Sequence, residues 1–225
     1  MVKVSPSDQA LPTLDARAEE ILSAACRVIV RRGADRTRIS DIAREAGTST
    51  GTVHYYFETK DDVLVAALKW ANEQPYGRVD ELLGRGADDL SRLATLLELS
   101  IPYPGTPRDE WVVFFELWGR LLHRSDLLAA GESADARWRG YFHDMVRSGT
   151  ANGTFHPVAP ADEVADRLVA LVDGLGLKAV VGASWSPERM REILFRFAAE
   201  QLRIPYEDLE RLGRESAATA SADAS

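Results

Sequence analysis

What this sequence lacks excludes most of what a chain of 225 residues can do. It has one cysteine, Cys26, so no intramolecular disulfide can form, which suits a reducing compartment. Cys26 falls beside the apolar stripe of a helical segment, where a small buried hydrophobe is expected rather than a nucleophile. The longest apolar stretch near the end, Leu168 to Ala183, is broken by Asp173 and Lys178 and is too short and too charged to span a bilayer. The opening Met1-Val-Lys-Val-Ser-Pro6 has no apolar signal region, so a cytoplasmic, nucleoid-associated location is expected. No Gly-rich phosphate loop follows a strand, and no Gly-x-Ser-x-Gly elbow occurs. Histidines stand only at 54, 123, 143 and 156; a metal joining His123 and His143 is conceivable, but ordinary helix-surface histidines are favoured and no metal site is expected. The pairs Asp61-Asp62 and Asp88-Asp89 sit at helix starts, where the helix dipole accounts for them. No catalytic residue, no cofactor and no enzyme activity are therefore expected.

Positive charge is also scarce: 27 Lys and Arg against 35 Asp and Glu give a net charge of −8. That excludes a protein that coats nucleic acid, but not a local DNA face. Residues 31–60 hold 6 basic and 4 acidic side chains, a mildly positive segment in an acidic chain.

That segment contains the most informative stretch. Thr37 can cap a short helix carrying Ile39, Ile42, Ala43 and Ala46, and Gly47 supplies the left-handed stop. Ser49 caps a second short helix, Thr50 to Tyr56, anchored by Val53 and Phe57, and Thr59 opens a third with Asp62 completing a capping box. Two short helices joined by a tight Gly turn read as a helix-turn-helix. The second helix crowds hydrogen-bonding groups into under two turns, and Gly51 leaves one side bare.

Ile42-Ala43-x-x-Ala46-Gly47-x-Ser49-x-Gly51-Thr52-Val53-x-x-Tyr56-Phe57-x-x-Lys60-x-x-x-Leu64 resembles the DNA-binding signature of the TetR (tetracycline-repressor) family, over roughly residues 15–70. There are two departures: Thr48 replaces the usual apolar Val, and His54-Tyr55 replaces the commoner Tyr-His, so the contact surface is altered. The resemblance implies that Ser40, Thr50, His54 and Tyr55 lie nearest base edges. It also implies that Thr37, Arg38, Ser49, Thr52, Tyr56 and Lys60 hold phosphates.

The rest of the chain reads as helix, with no strand signal and no internal repeat. The expected architecture is all-α: an arm at 1–13, a three-helix helix-turn-helix DNA-binding domain at 14–58, and a helical regulatory domain at 59–205 for ligand binding and dimerisation. A short helix or disordered tail follows at 206–225, its low-complexity part beginning at Gly213. Pro75 is expected to kink or end the long helix that opens at Thr59. The segment Trp111 to His123 is apolar on nearly every side and is expected to be central.

Trp70, Trp111, Phe114, Phe115, Trp118, Trp138, Tyr141, Phe142 and Met145 form either a plain helical core or the walls of a ligand pocket; the resemblance favours a pocket, with Asp173 as a polar contact, and the wall composition suggests a small apolar or aromatic ligand. Val164, Leu168, Leu171, Val172, Leu175, Ile193, Leu194 and Phe197 offer more apolar surface than one helix pair can hide, so they are expected at a homodimer interface. The function expected is a ligand-responsive repressor bound as a homodimer to a pseudo-palindromic double-stranded operator. The rival is an all-helical carrier or adaptor without DNA binding, which the acidic balance supports. The ligand, the operator, its genes and the choice of repression or activation are not readable from the sequence.

Overall fold

The computed structural model describes residues 15–84, 88–123, 128–182 and 184–223. The arm expected at 1–13 lies outside them. The described residues form ten helices and no strand: α1 (Ala16–Arg32), α2 (Ile39–Glu45), α3 (Thr50–Tyr56), α4 (Lys60–Gly84), α5 (Asp89–Leu99), α6 (Thr106–Leu121), α7 (Leu128–Ala151), α8 (Ala161–Val181), α9 (Pro187–Leu202) and α10 (Tyr206–Asp223).

Local chemistry sets most of the boundaries. Asp15 caps α1 by accepting from the Ala18 N–H at 2.8 Å, and Gly33 ends it at φ 77°. Gly47 takes φ 60° in the turn between α2 and α3, a conformation strained for any residue with a Cβ. Ahead of α4 the capping box is reciprocal: Thr59 N donates to Asp62 at 2.9 Å and Asp62 N to the Thr59 hydroxyl at 3.1 Å. Pro75, expected to kink or end α4, ends nothing: the helix runs through it. Proline removes one donor, and one missing bond does not unravel a helix whose other turns are intact.

The chain divides into two compact units. One comprises residues up to Pro75 together with Asp109–Ala134, and the other Tyr76–Arg108 with Asp135 onward. In the first, Ile21, Leu22 and Ile29 of α1, Ile42 of α2, Val53 and Phe57 of the α3 turn, and Leu64 and Leu68 of α4 form one core. Val113 and Leu117 of α6 join it. Burying two such side chains contributes about 3–6 kcal/mol, enough to tie α6 to the helix-turn-helix. Thus α6, expected at the centre of the regulatory domain, has one face in the core of the DNA-binding unit.

In the second unit α8 packs on α9, and α10 lies against α5 and α9. Buried Glu98 of α5 accepts from Arg191 of α9 at 2.8 Å and from Tyr103 at 2.8 Å. Arg191 also reaches Glu210 of α10 at 3.4 Å, and its guanidinium stacks 4.2 Å from the Phe195 ring centre. The segment expected to be a short helix or disordered tail is helical from Tyr206 to Asp223, and its low-complexity part beginning at Gly213 continues α10 as far as Asp223. Its composition is poor in large apolar groups, but Leu209 and Gly213 are buried and Ser216 bonds Thr95 of α5 at 3.1 Å. A Cβ on Gly213 would stand 2.5 Å from the Phe195 ring. Gly213→Val is therefore expected to detach α10 at a cost of about 1–3 kcal/mol. Hydrogen exchange should show lost protection confined to α10; unchanged protection there would contradict the packing.

Candidate nucleic-acid interface

The face of the first unit built by α2, α3 and the start of α4 separates buried from presented side chains. Val53 and Phe57 are fully buried, which fixes the roll of α3. Thr50, His54 and Tyr55 are then exposed, with Tyr55 54% accessible. Ser40 and Arg38 are exposed at the start of α2, and Thr48 is half-buried in the turn. All six lie on α2, on α3 or in the segments that start and join them.

Four residues assigned to phosphates from the sequence have other employment. Thr37 is completely buried, and its hydroxyl donates to the Gly33 carbonyl at 2.9 Å. It neither faces outward nor caps α2, whose N-cap is Arg38, without a side-chain cap bond. Ser49 accepts from Thr52 N at 3.0 Å, and its hydroxyl pairs with that of Thr52 at 2.9 Å, so both oxygens serve the helix start. Tyr56 donates its hydroxyl proton to Asp15 at 3.0 Å, tying the end of α3 to the cap of α1. Its oxygen then remains only as an acceptor, the wrong partner for a phosphate.

Charge is sorted just as sharply. Glu45 binds Arg27 at 2.7 Å and also Arg31, and these hydrogen bonds, Arg31's foremost, pull its carboxyl down to about 2. Asp41 holds Arg32 at 3.0 Å and Arg44 at 3.5 Å. Arg36, Arg38 and Lys60 have no carboxylate partner among the described residues: Arg36 donates to the Arg32 carbonyl at 3.0 Å and Lys60 to the Asp35 carbonyl at 2.8 Å. They line a cleft of about 820 Å³ with Arg31, Arg32, Asp35, Thr37 and Ile39. Arg36 was absent from the sequence-derived phosphate set; only the ion-pair pattern distinguishes it from its paired neighbours.

Residues 21–67 match the profile described as "Bacterial regulatory proteins, tetR family", and residues 90–203 match "BetI-type transcriptional repressor, C-terminal". The chain belongs to the TetR family of transcriptional regulators. It is 30% identical to the regulator PksA of Bacillus subtilis, over 73% of this chain and 79% of the relative. Identity to the regulator BetI of Stenotrophomonas maltophilia is 26%, over 83% and 93%. A transcriptional regulator of Saccharomonospora viridis, solved in complex with choline, superposes with a TM-score of 0.76 at 38% identity, over 81% of this chain and 95% of that one.

In this TetR-family protein the aromatic residues expected in one pocket are shared between the units. Trp70 belongs to the first and packs half-buried on its core. Trp111, Phe114, Phe115 and Trp118 form a ladder along α6, ring centres 5.3–5.7 Å apart, opposite Val113 and Leu117. Trp138, Tyr141, Phe142, Met145 and Asp173 belong to the second unit. Phe142 and Met145 are fully buried, and the Tyr141 hydroxyl donates to Asp80 at 2.5 Å. Asp173 is half-buried, and burial, then the nearby Asp135 charge, push its carboxyl up to about 6. His143 lies between Asp166, at 2.9 Å, and Asp162, at 3.3 Å. Cys26 donates to the Ala67 carbonyl at 3.3 Å, and burial pushes its thiol up to about 12, so its thiolate is not accessible near neutrality. Among the described residues no helix is long and apolar enough to cross a membrane.

Of the residues expected at a dimer interface, Val164, Leu168, Val172, Leu175 and Leu194 are buried within the chain. Leu171, Ile193 and Phe197 remain half-exposed. Sequence periodicity finds the apolar stripe but cannot say which part of it the chain's own helices cover.

The Asp15–Tyr56 bond carries an expected pH signature. Bonds from Ala18 N–H and from Tyr56 hold the Asp15 pKa below its ordinary value, so their stabilisation is present above the unfolded value and is lost as pH falls through the lowered one. Tyr56→Phe should lower the melting temperature near neutrality, and the difference from wild type should shrink in acid. A constant difference down to about pH 2 would contradict the bond.

Proposed function

We propose that this regulator is a homodimeric repressor that occupies a pseudo-palindromic operator and is released by a small quaternary ammonium compound. The observation that carries the DNA reading is the sorting just described: α3 exposes Thr50, His54 and Tyr55, and Arg36, Arg38 and Lys60 line one cleft without carboxylate partners among the described residues. Thr50, His54, Tyr55 and Ser40 read base edges. Arg36, Arg38 and Lys60 hold phosphates and so fix register without reading sequence. Selection of duplexes from a random library by the purified protein tests the reading. A palindromic consensus is expected, and Lys60→Ala should keep that consensus while lowering the salt slope of binding by about one. Failure to enrich any sequence would favour a carrier or adaptor.

A second copy is placed on the outer face of α8. Ala170, Gly174, Leu177 and Val181 recur there at helical spacing and are exposed, Val181 at 75%. Gly174 costs the helix about 1 kcal/mol relative to Ala. Among the described residues nothing lies within 4 Å of where its Cβ would stand, which leaves room for close approach by another molecule. Leu171, Ile193 and Phe197 extend this surface. A twofold axis through it would set two recognition helices about one DNA turn apart, ~34 Å. Leu177→Glu with Val181→Glu is expected to give a monomer with weak operator binding; sedimentation showing an unchanged dimer would refute the placement.

The ligand class rests on two features and on the choline complex of the Saccharomonospora viridis protein. Within the second unit Trp138 and Tyr141 offer aromatic faces, to which a quaternary ammonium binds by cation–π attraction. Asp173 offers a half-buried carboxylate, with no ion pair among the described residues, whose ionised form a cation would stabilise. Because its folded pKa is raised, ionisation weighs on the folded state increasingly as pH rises through about 6, and a bound cation relieves that cost. Choline should therefore raise the melting temperature and lower operator affinity more at about pH 7.5 than at about pH 5. Asp173→Asn should abolish the pH dependence, and Trp138→Ala should weaken binding at both. Choline without effect on either reading would overturn the ligand class.

A further inference from the structure

The rim of the phosphate cleft carries two acids, and Arg120 of α6 reaches both. Arg120 reaches Asp61 at 3.1 Å and Asp35 at 3.7 Å. Asp61 directly follows Lys60 in sequence, and Asp35 lines the cleft itself while offering its backbone carbonyl to Lys60. The Asp35 side chain is fully exposed and Asp61 is 41% exposed, whereas Arg120 is only 19% exposed. The cation thus sits behind the carboxylates: it offsets their charge without presenting itself to a phosphate. One turn earlier on α6, Glu116 accepts from the Ala34 N–H at 3.4 Å, so the same helix also holds the backbone beside Asp35.

The placement is not one that stability alone would favour. Arg120 Nε is buried with no hydrogen-bond partner among the described residues. An unsatisfied buried donor is costly, and the ion pairs must offset it. Arg120 is held by its terminal nitrogens, so a shift of α6 would break both ion pairs together.

We infer that Arg120 is a positioning residue for operator binding, acting by cancelling the charge of Asp35 and Asp61 at the rim of the phosphate cleft. Movement of α6 that withdraws Arg120 unmasks carboxylate charge beside Lys60, Arg36 and Arg38, and the duplex is repelled. Release then acts through the local potential at the edge of the recognition surface, in addition to any displacement of α3 that follows from the core it shares with α6. This rests on the reading of that face as operator-binding.

The test uses the full-length protein and the duplex it selects from a random library. Arg120→Met should weaken binding roughly tenfold at low ionic strength, with the deficit shrinking as salt screens it. Adding Asp35→Asn and Asp61→Asn should restore affinity in the Arg120→Met background and make binding indifferent to residue 120. A strut whose loss merely disorders the loop would not be rescued by neutralising its partners. Arg120→Lys, which keeps the charge, should bind like wild type, and Arg120→Gln, which keeps polarity but not charge, should bind like Arg120→Met, so the decision does not depend on one variant folding. Equal binding by the Lys and Gln variants, or a deficit that persists after both aspartates are neutralised, would overturn the inference. A wild-type protein that binds no duplex would overturn the reading of the face and this inference with it.

Discussion

Burial of Val53 and Phe57 in the same core as Val113 and Leu117 is the constraint on which the rest of the structure depends. The first pair sets the roll of a seven-residue helix that is too short to be stable alone. The second pair brings in a helix from more than fifty positions later in the chain. Because all four side chains share one close-packed cluster, the orientation of the recognition helix and the seat of α6 are not independent. Packed interiors deform in steps rather than smoothly, so a displacement of α6 has only a few places to go.

The electrostatics follow from the same arrangement. An acidic protein presents a DNA face by pairing off its charges selectively. Glu45 and Asp41 absorb Arg27, Arg31, Arg32 and Arg44, which leaves Arg36, Arg38 and Lys60 available to an outside anion. Exposed ion pairs contribute little to stability. Their larger consequence here is spatial, since they decide which arginines have a field left to offer. The net charge of −8 therefore says little about this surface.

The second unit is stabilised differently. Its polar contacts are buried and networked, with Glu98 and Arg191 drawing α5, α9 and α10 together. Removing either partner of such a pair strands a charge in a low-dielectric interior, which makes the network a strong specifier of where α10 docks. The small side chains that make the tail look unstructured are what let it approach Phe195 and α5 closely.

The sequence by itself determined the helical class, nearly every cap and the inward set of the helix-turn-helix, because these depend on neighbours within four or five positions. Gly47, Ser49 and the Thr59–Asp62 box all act where their spacing placed them. What it left open was decided by contacts across long separations. Thr37 turned inward to Gly33, and Tyr56 was drawn to Asp15. Much of the apolar surface of α8 and α9 was covered from within the chain. The low-complexity tail found a groove, and an apolar helix proved to have two different faces. A periodic stripe states that a face wants burial, but not what will bury it, and a run of arginines states a charge, but not which carboxylates will claim it. Both are settled only when distant segments meet, since burial and ion pairing act through space and leave no mark in local spacing.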